Sequence, residues 1–176
     1  MSIVDRVKNI LMTPKTEWPT IAGEATTTQA LYTGYIMMLA AIGPITLLLR
    51  SDVIGAITAY IIALAAPFIM ALIVDALAPT FGGEKNFMQS LKLTAYSYTA
   101  VWLAAILTLL GALGGLLGLL AAAYSLYTFY LGVPVMKKCP QEKAVAYTLV
   151  VVVCGIVLTA LVGSLLMSTM FGGMGM

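Results

Sequence analysis

The chain contains no histidine, two cysteines, and only 9% charged residues, nine Lys or Arg and seven Asp or Glu among 176. A water-soluble domain of this length carries about 25% charged residues to keep its surface wetted. A soluble enzyme or binding domain is therefore excluded. Without histidine there can be no Ser-His-Asp or Cys-His catalytic arrangement, no His-ligated metal and no histidine proton relay. A net charge of +2 is too small to track a phosphate backbone, so no nucleic acid is expected as a partner. Cys139 lies in a polar stretch as an exposed thiol, and Cys154 well inside an apolar run. At different membrane depths they neither pair nor hold a metal, and no cofactor is expected.

What remains is apolar: 61% of residues are hydrophobic and the mean hydropathy is +1.03. This composition implies an all-α integral membrane protein, one domain over residues 1–176, with the lipid bilayer as its first partner. The opening MSIVDRVKNILMT is not a signal peptide, because Asp5, Arg6 and Lys8 interrupt its apolar positions. Residues 3–12 instead read as a short amphipathic helix, with Ile3, Val7, Ile10 and Leu11 on one face. Ser2 and Asp5 form a capping box and Pro14 ends the segment. Trp18 is suited to anchoring this arm (1–29) in the headgroup region, although packing on the ends of a helical bundle would satisfy the same pattern.

Five spans follow, at about 30–49, 53–78, 94–111, 115–135 and 147–170, with polar breaks between them. The 94–135 run is too long for one crossing and breaks at Gly111-Ala112-Leu113-Gly114-Gly115. The tail 171–176, rich in glycine and methionine, is expected to lack order. With five spans, Arg6, Lys8, Lys15, Lys85, Lys92, Lys137, Lys138 and Lys143 fall on one side and Arg50 alone on the other. This bias places the N-terminus in the cytoplasm and the C-terminus outside.

The opening VDRVKNILMTPKTEWPTIAGE, continued by ALYTGYIMMLAAIGPI, resembles the start of small bacterial members of the Yip1 family. Thr80-Phe81-Gly82-Gly83 followed by SLKLTAYSYTAVWL is similar to that family's entry into the third span, and AAAYSLYTFYLGVPVM to its fourth. The resemblance runs over nearly the whole chain. It implies a five-span protein with a cytoplasmic N-terminus, and its short form implies the bacterial inner membrane. Eukaryotic relatives reside in Golgi and endoplasmic reticulum membranes and associate with Rab-type GTPases and with one another.

Several residues invite a functional reading beside a structural one. Asp75 is the one acid inside an apolar span, where a carboxylate costs roughly 2.5–3.5 kcal/mol. It serves either as a proton or cation site or as half of an ion pair with Lys85 or Lys92. Pro44 and Pro67 predict kinks in the first two spans. Tyr124, Tyr127 and Tyr130 form a stripe on the fourth span, and with Tyr96, Ser97, Tyr98 and Thr99 on the third they suggest a polar groove. Gly111 with Gly115, and Gly114 with Gly118, give overlapping GxxxG patterns that suit helix association as well as chain reversal. Gly82, Gly83, Lys85, Lys92, Lys137, Lys138 and Lys143 would form a cytoplasmic interaction surface.

No enzyme signature is present. Two facing aspartates, HExxH and a phosphate loop are all missing, and Ser90 and Lys92 are wrongly spaced for a dyad. The leading expectation is a non-enzymatic membrane scaffold, oligomeric and bound to an unidentified protein partner. The competing one is a small oligomeric transporter or channel using Asp75 and the tyrosines.

Overall fold

The arm begins with the cap that its sequence encodes. In the computed structural model, which describes residues 1–172 and side chains as far as Ser164, helix α1 spans Ile3–Met12. The Ser2 hydroxyl accepts the Asp5 backbone N–H and donates to the Asp5 carboxylate at 2.7 Å, which holds that carboxyl below its ordinary range. The helix stops ahead of Pro14, but the arm continues in helical form. Proline lacks an N–H that the first turn of a helix would leave unused, and Pro14 opens a second helix, α2, over Pro14–Gly23. The two meet at Thr13, where the backbone leaves the helical region.

Five helices are long and apolar enough to cross a membrane: Thr28–Leu48, Val53–Phe81, Phe87–Leu110, Ala112–Lys137 and Gln141–Ser164. The fifth continues as helix to Gly172, and the rest of the tail expected to lack order lies outside the described residues. Residues 79–93 are not one loop, because the third span starts at Phe87, seven residues earlier than hydropathy suggested. Asn86 caps it, accepting the Gln89 N–H at 3.1 Å. Gln89, Ser90 and Lys92 lower the local hydropathy, yet Ser90 and Lys92 are buried. The reversal between the third and fourth spans falls at Gly111, whose φ of +64° suits a residue without a side chain. The first span carries a π-helical segment at Tyr32–Ile36 and a break at Ala41, just ahead of Pro44. The second is one continuous helix over Val53–Leu77 with Pro67 inside it.

Packing divides the bundle into two ends. The end covered by the arm holds Ile10, Trp18, Ile21, Val74, Leu91, Leu93, Val133 and Tyr147, all fully buried. The opposite end presents Ile54, Ile57, Leu113, Leu119, Leu120 and Leu161 outward. Outward leucines are stable only in a solvent as apolar as themselves, as bilayer lipid is. The second span, Val53–Phe81, is about 43 Å long at 1.5 Å per residue, against about 30 Å of hydrocarbon.

Candidate functional site at the packed end

Two groups of charged side chains are enclosed there. The first joins the second, third and fourth spans. Lys137, fully buried at the end of the fourth span, donates to the Asp75 carboxylate at 2.8 Å, to Ser90 Oγ at 2.7 Å and to the Asn86 carbonyl at 3.2 Å. An ammonium has three protons, and all three have acceptors. Asp75 also accepts the Asn86 backbone N–H at 2.7 Å. The intramembrane acid is thus half of an ion pair, with Lys137 as its partner in place of Lys85 or Lys92. Glu84 and Lys138 form a second pair at 2.7 Å on the surface. The Glu84 N–H donates to the Lys137 carbonyl at 2.8 Å, so the two loops of this end are bound to each other. Gly83 lies in that seam, where a Cβ would approach the Lys137 carbonyl to 2.9 Å.

The second group fastens the arm. Arg6, 6% exposed, bridges Glu17 and Glu24 and lies 5.5 Å from the Tyr96 ring centroid. Burial opposes the guanidinium charge, but hydrogen bonding to Glu24, reinforced by Tyr96 and Glu17, outweighs it and raises the Arg6 pKa. Tyr96 packs edge-on against Tyr35, whose hydroxyl meets Thr99 Oγ1 at 2.6 Å. Lys92 is 2% exposed and donates to the carbonyls of Ile21 at 2.9 Å and Glu24 at 2.5 Å, terminating α2. Trp18 is no headgroup anchor: it is fully buried, and its Nε1–H donates to the Thr128 carbonyl at 3.0 Å. Gly132 makes room for it, since a Cβ there would press on Leu93 and the Trp18 ring.

The expected groove is not formed as drawn. Tyr124 donates to the Leu11 carbonyl at 2.5 Å and belongs to the arm joint, as Tyr96 does. Tyr127 is exposed, and Tyr130 accepts from Gln141 at 3.1 Å. Of the tyrosines proposed for the groove, Tyr98 alone lines a cleft among the second to fifth spans. The predicted interaction surface loses Lys92 and Lys137 to the interior and keeps Lys85, Lys138 and Lys143 exposed, with Lys143 beside Gly82, whose φ is +75°. Cys139 is buried, contrary to its expected exposure, and burial pushes its thiol pKa up. Of the GxxxG positions, Gly111 makes the turn and Gly114 admits the Leu107 carbonyl so closely that no Cβ fits. Gly115 and Gly118 face open space.

Sequence reasoning missed the Arg6–Glu17–Glu24 joint. One signal was available: Glu17 and Glu24 bring two acids to an arm that also carries Arg6 and a tryptophan. The orphaned serines of the cleft, Ser97 and Ser125, left no comparable trace.

Two comparisons with known proteins, one with curated proteins and one with solved structures, return no match. The family model of the Yip1 domain matches residues 8–162, from inside α1 to near the end of the described fifth span. With nearly the whole chain covered and five helices able to cross a membrane, this protein belongs to the Yip1 family of multi-pass membrane proteins.

Proposed function

We propose that this chain is a non-enzymatic interaction or scaffold protein of the bacterial inner membrane, with its N-terminus and packed end in the cytoplasm. The observation that carries this reading is the occupancy of Asp75. A coupling carboxylate must exchange its proton or cation, whereas this one is engaged by Lys137, Ser90 and the Asn86 N–H together. Orientation follows the charge bias, since the exposed Lys8, Lys15, Lys85, Lys138 and Lys143 belong to the arm and the two loops of the packed end. The exposed Lys85, Lys138 and Lys143 supply the surface a protein partner would meet, with anionic lipid as a second attraction of about 1 kcal/mol per basic residue.

Proton and cation flux through liposomes holding the purified protein tests this. No flux above empty liposomes is expected, from wild type or Asp75→Asn. Flux abolished in Asp75→Asn would overturn the scaffold reading in favour of a transporter. Photo-crosslinkers at positions 85, 138 and 143 should capture discrete partners in cells, and changing the three lysines to glutamine should remove them.

A further inference from the structure

A cleft of about 540 Å³ opens among the second to fifth spans, walled by Met70, Leu126, Phe129, Val151, Val152 and Ile156. Hydroxyl side chains interrupt this apolar lining. Two of them, Thr94 and Thr159, turn their hydroxyls back onto helix carbonyls at 2.8–3.1 Å, the usual resort of such residues inside a bilayer. Ser97 and Ser125 do not. They are 5% and 6% exposed, both line the cleft, and the Oγ of each has no hydrogen-bond partner among the described residues. A buried hydroxyl without a partner is costly, and most so where there is no water to supply one. What these serines lack is an acceptor within an apolar space.

Length and chemistry select what supplies it. From Val151 to Ala160 the lining follows nine residues of helix, about 14 Å, which is half the hydrocarbon thickness of about 30 Å. A helix from a second copy brings carbonyls already bonded in its own ladder, whereas a lipid of one leaflet brings acyl chains of this length and a free ester carbonyl. No charged side chain lines the cleft, so nothing in it reads a headgroup. We propose that this cleft is a lipid site, holding acyl chains of a membrane glycerolipid with an ester carbonyl accepting a hydrogen bond from Ser97 or Ser125.

The probe is a phospholipid with a diazirine in its acyl chain, added to vesicles of phosphatidylethanolamine and phosphatidylglycerol containing the full chain. Adducts should concentrate on Leu126, Val152 and Ile156 over the outward Leu119 and Ile54. Diester lipids of either headgroup should compete equally. A diether analogue, which has no carbonyl, should compete roughly fivefold less well, the loss of one neutral hydrogen bond. The pair Ser97→Ala and Ser125→Ala should lower cleft labelling by a similar factor without lowering the unfolding temperature, and Gly155→Leu should block it. Labelling spread evenly over the lipid-facing residues would overturn the site. Equal competition by the diether would overturn the ester contact, and crosslinks from the cleft to a second copy would replace the lipid as occupant. Should Gly155→Leu fail to fold, competition on the wild-type protein decides.

Discussion

Asp75 and Lys137 illustrate how a buried charge is tolerated and what its partner is worth. A buried pair with all its protons placed contributes little net stability, but removing one member leaves a charge that the interior cannot solvate. Lys137→Met should destabilise the protein by about 3–5 kcal/mol in a denaturant titration. Combining it with Asp75→Leu should restore most of the loss, because no orphan charge remains. Cys139 gives a prediction of the opposite kind. Burial raises its thiol pKa above the ordinary value near 8.5, so the thiolate is scarcer in the folded protein at every pH below that shifted value. In a Cys154→Ala background, maleimide should label Cys139 about tenfold more slowly in the folded protein than after unfolding in detergent. Labelling should accelerate as pH rises toward the shifted value. None of this was visible from residue type, since Lys137 and Lys138 look alike in sequence while one is buried and the other exposed.

At the scale of the element, the arm helices have the sharpest consequence. Trp18 fills a socket made by Gly132 and Leu93 and donates to Thr128, so Trp18→Ala should cost about 3–5 kcal/mol. It should also open the arm to limited proteolysis near Thr13. Gly132→Leu, which fills the socket from the other side, should give the same digestion pattern. The glycines of the outer turn separate by environment: Gly114→Ala collides with the Leu107 carbonyl and should destabilise, whereas Gly115→Ala meets open space and should gain up to about 1 kcal/mol of helix propensity. The five spans, their order and the reversal at Gly111 were legible in the sequence, because apolar run length and glycine are strong signals. The start of the third span was not. Its first turns contain Gln89, Ser90 and Lys92, which hydropathy reads as loop; the arm in fact covers Gln89 and Lys92, and Asp75 and Lys137 enclose Ser90. The second arm helix was not legible for a related reason: proline stops one helix and starts another with equal ease, and here it does both.

Across the whole molecule, charge and apolar surface are sorted by end. The arm and every buried ion pair share one end, while the other offers leucine and isoleucine to lipid. Accessibility should follow this division. In vesicles of known orientation, hydrogen exchange should be fast over residues 25–27, which link the arm to the first span outside any helix, and slow for α2 beside them, because α2 is held by Trp18, Lys92 and Glu17. The candidate site was only partly legible at this scale. Asp75 was found, but its partner lies 62 residues away and the joint of the arm spans 110. That last separation bears on how the protein is made. The arm is synthesised first, and the Thr128 carbonyl that receives Trp18 arrives 110 residues later. At a translation rate of about 5–20 residues per second, the ribosome needs roughly 5–20 s to cover that distance. Throughout that interval a tryptophan, an arginine and two glutamates wait without the pocket that will enclose them, while three helices thread into the bilayer ahead of it. The arm is therefore a latch that closes only after the fourth helix has emerged, and a nascent chain halted before that point carries it open.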